Sequence, residues 1–231
     1  MNKNEFKKEF DKIASSINLN YKNIDIYYEA FTHPSFSNEA HLNYNYERLE
    51  FLGDAILDFL VGEYIFKTKA IKEGAMTKLR ATYVCEQANF DYSSELNLHN
   101  CLMVGRGAKL QGEDKKVSVL GNLFESFLGA VYLDLGMEEA RKILEKIVFP
   151  KIKDSKEEFF VDYKSKLQEY IQAESRNSVE YRVVNEEGPA HAKTFEVIVS
   201  HEGTKLGRGT GKTKKDAEQH AAQDALTKLA K

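Results

Sequence analysis

Apolar positions recur at helical spacing through the first two thirds of the chain and pass into strand-like alternation in the last third. Residues 3–17 place Phe6, Phe10 and Ile13 on one face of an amphipathic helix, and an asparagine-rich turn follows. A second helix is expected over 24–31. It ends at Thr32-His33-Pro34-Ser35-Phe36, where the proline biases His33 away from helical geometry, so His33 is expected as a turn residue rather than a catalytic base. Residues 37–44 read as a polar loop. Residues 46–61 are apolar almost all round, the pattern of a helix enclosed by other helices or by a partner chain. A basic connection over 67–72 leads to a helix opening at Glu73, and another helix is expected over 87–98. Beyond a glycine-bracketed turn at Val104-Gly105-Arg106-Gly107, a second apolar helix spans 118–134, and a last one over 136–148 is closed by Phe149-Pro150. After a charged run over 151–158 the pattern predicts a helix over 162–175, strands over 179–185, 192–201 and 205–211, and an alanine-rich helix over 214–229.

The acids inside the apolar helices change this picture. At about 100° per residue, Glu47, Glu50 and Asp54 (i, i+3, i+7) lie within roughly 60° of arc, and Asp58 continues the face. No Lys or Arg on that stripe relieves the repulsion, and like charges at this spacing destabilise a helix. Spacing alone leaves two readings open: a solvated acidic face, or oxygen ligands for a hard divalent cation. Glu125 is the single acid of the 118–134 helix before its last residue, with Asn122 one turn earlier on the same face. An unpaired carboxylate in such surroundings is costly. An ion pair with Arg80 or Arg48 accounts for it, and so does a ligand role. Glu73 favours a helix start through the helix dipole.

A chain of 231 residues with 42% hydrophobic content suits one or two domains with a real core. No apolar run approaches the roughly 18 to 20 residues of a membrane span, because Asp58 interrupts the best candidate. The first eight residues carry an acid and lack the apolar core of a secretory signal. Cys85 and Cys101 fit neither a metal spacing nor a disulfide framework, so a reducing cytoplasm is the expected setting. A net charge of -3 argues against a uniformly basic nucleic-acid binder. Distribution matters more than the sum: Lys205, Arg208, Lys212, Lys214 and Lys215 fall within residues 203–215, which hold no acid.

The segment Glu47-Arg48-Leu49-Glu50-Phe51-Leu52-Gly53-Asp54-Ala55 resembles the signature of the ribonuclease III family, and the similarity covers nearly the whole chain in the segment order of the bacterial enzymes. Toward the end, Lys166-Leu167-Gln168-Glu169-Tyr170, the loop Gly188-Pro189-Ala190-His191, and the run from Gly209 to Glu218 resemble a double-stranded RNA-binding domain. The resemblance implies a multidomain chain: an all-α ribonuclease III endonuclease domain over 1–150, a linker over 151–159, and an α+β (α-β-β-β-α) double-stranded RNA-binding domain over 160–231. It further implies hydrolysis of double-stranded RNA to 5′-phosphate and 3′-hydroxyl products in rRNA and mRNA processing. The implied enzyme is a homodimer with no membrane association, each chain cutting one strand, and Phe51, Leu52 and Phe59 fit a dimer face as well as they fit core packing.

By the same resemblance Glu50, Asp54, Asn122 and Glu125 are ligands of Mg²⁺, with Mn²⁺ as a substitute. Asp54 and Glu125 are the indispensable catalytic pair, and Glu47 and Glu73 are accessory acids. In the RNA-binding domain, Gln168 and Glu169 together with Pro189 and His191 are implied to face two minor grooves, and Lys212, Lys214 and Lys215 the phosphates between them. Cations at a helix start oppose its dipole, so an external anion explains the lysines better than solvation does. One departure stands out. The family usually carries Asp-x-x-Glu where this chain has Asn122 and Glu125, and an amide contributes no negative charge. Weaker metal binding is expected, and the alternative is a non-cleaving double-stranded RNA-binding or ribosome-associated protein. Retention of Glu47, Glu50, Asp54, Glu73 and Glu125 favours the enzyme.

Overall fold

A computed structural model describes residues 1–155, 163–173, 178–189 and 193–229. The chain separates into two compact units, Met1–Glu157 and Glu158–Lys231. The first is all-helical. Its opening helix α1 (Lys3–Ile17) starts at a capping box, in which the Asn2 side chain accepts from Glu5 N and the Glu5 carboxylate accepts from Asn2 N. Phe6 and Phe10 join Tyr27, Phe31 and Phe127 in a buried aromatic cluster. Helix α2 (Ile24–Ala30) follows a loop tied down by Asp134, which accepts from Lys22 N, Asn23 N and the Tyr27 hydroxyl.

Residues expected as a turn and polar loop instead form a short helix, α3 (Pro34–Glu39). Pro34 occupies a first-turn position, where its missing N–H costs nothing, and His33 is the N-cap, its Nδ1 accepting from Ser35 N at 3.1 Å. His33 thus has the structural role expected of it. The long helix α4 (Glu47–Thr68) runs past residue 61, which shortens the basic connection before α5 (Glu73–Tyr83). Helix α6 (Glu86–Glu95) stops earlier than its pattern suggested, because Asn97 takes a left-handed conformation (φ 55) before a 3₁₀ turn at Leu98–Cys101. The glycine-bracketed turn leads into α7 (Arg106–Leu110). Then come α8 (Val117–Leu135), α9 (Met137–Ile147) and α10 (Phe149–Lys153). Residues 151–153, expected in the linker, belong to α10, and Ile152 is fully buried.

Helix α8 is the axis of this unit. Leu123, Phe124, Phe127 and Leu128 are fully buried, each worth about 1.5–3 kcal/mol of transfer free energy. Helix α4 crosses it through two glycines. A Cβ on Gly53 would lie 1.8 Å from the carbonyl oxygen of Glu125, and one on Gly129 would lie 2.3 Å from that of Leu49. Each helix therefore presses a carbonyl onto the bare Cα of the other, closer than any side chain permits. Within a single chain helix α4 is enclosed on one side, so of the two readings of its apolar composition, enclosure by other helices covers only part of it. Leu49, Ile56, Leu57, Leu60 and Val61 are buried, while Phe51, Phe59 and Phe66 remain exposed.

In the second unit, helix α11 (Tyr163–Gln172) precedes strands β1 (Glu180–Glu187), β2 (Thr194–His201) and β3 (Thr204–Gly211), and α12 (Lys214–Leu229) follows. The sheet is antiparallel in the order β1-β2-β3. Glu202 and Gly203 both have positive φ (49° and 75°), the conformation a two-residue hairpin turn needs. Leu167, Val197, Val199, Ala217, Ala221, Ala222 and Ala225 form the core. Gly207 and Gly209 on β3 meet the backbone of α12, where a Cβ would come within 2.3 Å and 2.2 Å of Ala221 atoms.

The α4–α8 crossing yields a direct expectation. Gly53→Ala forces backbone apart from backbone, so it should destabilise the chain by about 1–3 kcal/mol or more. Urea unfolding checks this, and a wild-type midpoint for the variant would show that the crossing is not close.

Candidate active site and nucleic-acid interface

The crossing at Gly53 and Gly129 brings residues from two distant segments to one surface. Tyr46, Glu47, Glu50, Phe51 and Asp54 from α4 and its start, with Asn122 and Glu125 from α8, line an open cleft of about 430 Å³. Of the acids expected at a common site, Glu47, Glu50, Asp54 and Glu125 are there and Glu73 is not. Glu73 sits exposed in the first turn of α5 and accepts from the Thr77 hydroxyl at 3.1 Å. Glu47 is held at the helix start by Asn45, which accepts from Glu47 N at 2.9 Å and donates to the Glu47 carboxylate at 3.0 Å.

Two contacts of these acids come from other elements and are not visible in spacing along α4 and α8. The acidic stripe does have a basic neighbour, supplied by α5 rather than by α4: Arg80 Nε lies 3.8 Å from Asp58 Oδ1, on partly exposed side chains. Glu125 takes its hydrogen bond from neither Arg80 nor Arg48. Its Oε1 accepts from Nδ2 of Asn89, on α6, at 2.6 Å. Nothing local marks Asn89 in the sequence, because the contact joins positions 36 residues apart.

The acids sit in an environment that disfavours their charged forms. Burial pushes Glu125 up to about 8, and the charges of Asp54 and Glu50 add to the effect, while the Asn89 hydrogen bond offsets part of it. Burial also raises Glu50, with Glu47 and Asp54 adding to it and the neighbouring Asn122 side chain opposing it. Asp54 is raised by burial and then by Asp58. Three carboxylates and one amide oxygen form an all-oxygen donor set, which suits a hard cation such as Mg²⁺ or Mn²⁺ and not a soft one. Among the described residues no three His, Cys, Asp or Glu side chains are drawn together at metal-ligand spacing. The donors face one cleft without closing around a point.

On the second unit, Gln168 and Glu169 lie beside a shallow pocket with Lys164, Ser165, Val179 and Tyr181. Gln168 Oε1 accepts from Val179 N at 3.2 Å, which ties α11 to the start of β1. Pro189 is exposed after β1, and His191 lies outside the described residues. Lys212, Lys214 and Lys215 are exposed at the start of α12. The stretch that holds no acid in sequence has acids beside it in space. Lys214 Nζ lies 3.1 Å from a carboxylate oxygen of Glu186 on β1 and 5.5 Å from the centre of the Phe195 ring, and Arg208 pairs with Glu196 on β2. An internal counter-ion thus already meets part of the cation excess at that helix start.

A helical unit with an acid-lined cleft, followed by an α-β-β-β-α module with lysines at its last helix, defines a nuclease-type domain carried with an RNA-binding one. The comparisons agree. A family model described as Ribonuclease-III-like matches residues 23–152, and one described as a double-stranded RNA binding motif matches residues 163–229. The chain is 43% identical over 227 residues to Ribonuclease 3 of Bacillus velezensis, covering 96% of this chain and 91% of that protein. It is 39% identical over 229 residues to Ribonuclease 3 of Staphylococcus aureus, covering 98% and 94%. Among solved structures, the nuclease domain of ribonuclease III from Campylobacter jejuni aligns with a TM-score of 0.56 at 36% identity, covering 60% of this chain and 95% of that one. Dicer from Pichia stipitis aligns with a TM-score of 0.50 at 29% identity, covering 90% and 94%. The chain belongs to the ribonuclease III family.

The raised carboxyl groups make stability depend on pH in a definite sense. The folded chain keeps a proton on Glu125 that the unfolded chain loses above about 4.5, so metal-free stability falls as pH rises from there to about 8 and then levels off. With chelator present, the thermal midpoint should follow that fall, and Glu125→Gln should flatten it. Equal slopes in the two proteins would contradict the assignment.

Proposed function

We propose that the chain is a divalent-metal-dependent endoribonuclease for double-stranded RNA, with its cutting centre in the α4–α8 cleft. The observation that carries this is the meeting of carboxylates from two helices, Glu50 and Asp54 with Glu125, across one open surface. Glu50, Asp54 and Glu125, with the Asn122 amide oxygen, would hold Mg²⁺ or Mn²⁺. Bound there, the cation supplies an activated water and charge stabilisation for the departing 3′ oxygen, leaving 5′-phosphate and 3′-hydroxyl ends. Asp54 and Glu125 are the indispensable pair in this reading, and Glu47 is an accessory acid at the cleft rim. Glu73 keeps that role only through a rearrangement or a second chain, since it does not line the cleft.

Gln168, Glu169, Pro189 and His191 would read sugar hydroxyls in successive minor grooves, and Lys212, Lys214 and Lys215 the phosphates between. A homodimer fits the exposed Phe51, Phe59 and Phe66, which share one side of α4. The Campylobacter jejuni nuclease domain has been described in terms of a region involved in dimer formation. Processing of rRNA and mRNA in the cytoplasm fits the two free cysteines and the lack, among the described residues, of any helix long and apolar enough to cross a membrane. A second reading, a non-cleaving double-stranded RNA binder, is favoured by one observation: Asn122 stands where the family usually has an acid.

A labelled RNA duplex incubated with the chain, with Mg²⁺ or with chelator, separates the two readings. Short metal-dependent products that vanish in Glu125→Ala support the nuclease. Binding without cutting at high Mg²⁺ favours the second reading. Asn122→Asp should lower the Mg²⁺ needed for half-maximal cutting by roughly tenfold, because it adds a charged ligand. For the RNA-binding module, Glu186→Gln frees Lys214 from its internal counter-ion. Duplex affinity at low salt should then rise about threefold, a gain that 0.3 M salt erases. An unchanged affinity at both salt levels would remove Lys214 from the phosphate contacts.

A further inference from the structure

We propose that Asn89 is a positioning residue that holds the Glu125 carboxylate for cation binding, an inference that rests on the reading of the cleft given above. Asn89 comes from α6, which lines neither face of the cleft, and it is 1% exposed. Its Nδ2 donates to Glu125 Oε1 at 2.6 Å and reaches the Val84 carbonyl at 3.5 Å. Its Oδ1 is buried and has no hydrogen-bond partner among the described residues. A residue that served only to fill this space would be apolar, since a buried amide oxygen without a partner is a standing cost. The group that justifies the asparagine is the N–H aimed at Glu125.

The setting makes that donor matter. Glu125 faces the carboxylates of Asp54 and Glu50, which repel it. Without a fixed donor its orientation would be decided by that repulsion. Asn89 engages one oxygen and leaves the second for a cation. The contact is held by close helix packing, because a Cβ on Gly121 of α8 would sit 3.1 Å from the Glu86 carbonyl and 3.6 Å from Asn89 Cβ.

The test measures Mn²⁺ binding to the full chain without RNA, by the electron paramagnetic resonance of free Mn²⁺, for wild type, Asn89→Leu, Asn89→Ala and Glu125→Gln. Removing the donor should weaken Mn²⁺ binding by about tenfold or more, as loss of an outer-shell partner does. Affinity for a non-cleaved duplex measured in chelator should stay at the wild-type value. Asn89→Leu keeps the bulk and Asn89→Ala adds none, so the alanine carries the test if the leucine fails to fold. A folded variant that binds Mn²⁺ as wild type does, while Glu125→Gln loses it, overturns the role of Asn89 alone. Wild-type protein that binds no Mn²⁺, or Glu125→Gln that binds it unchanged, overturns the reading of the cleft and this inference with it.

Discussion

Everything at the candidate centre depends on how closely two helices can cross. Ordinary side chains hold packed helices 8–10 Å apart. At Gly53 and Gly129 each helix instead meets the backbone carbonyl of the other, in the geometry of Cα–H···O contacts at helix interfaces. The carbonyl against Gly53 belongs to Glu125, so the tightest contact and the catalytic candidate share a residue. Glu50 and Asp54 lie on either side of Gly53 in sequence, and Asn122 lies one turn before Glu125. The crossing therefore sets the distance between acids on α4 and acids on α8.

That arrangement stores repulsion. Glu125, Glu50 and Asp54 are all shifted toward their protonated forms, by burial first and by neighbouring carboxylates second: Asp54 and Glu50 for Glu125, Glu47 for Glu50, and Asp58 for Asp54. A cation would reverse the sign of each of these effects, which is the physical reason for reading the cleft as a binding site rather than an acidic surface. Replacement of an acid by Asn122 lowers the repulsion and the cation affinity together. The RNA-binding unit shows the opposite economy of charge. Glu186 lies against both Lys193 and Lys214, so phosphate binding there exchanges one counter-ion for another.

What could be read in the sequence is what local periodicity records. The bounds of α1, the stripe of Glu47, Glu50 and Asp54, the strands of the second unit and the alanine face of α12 follow from spacing within one element. Helix α3 does not, because a proline that ends one helix reads the same in sequence as one that opens the next, and Pro34 is a first-turn residue behind the His33 cap. Pairings between elements were also hidden. Arg80 beside Asp58, Asn89 beside Glu125 and Glu186 beside Lys214 join residues far apart in sequence, and no period links them. Glu73 matches a family position near the site, and the single chain does not bring it there.

The most direct measurement is anomalous diffraction from crystals of the full chain soaked in Mn²⁺. A peak bounded by the carboxylates of Glu50, Asp54 and Glu125 is the result expected if the α4–α8 crossing builds a cation site. Strong Mn²⁺ peaks elsewhere with none between those three side chains would contradict it.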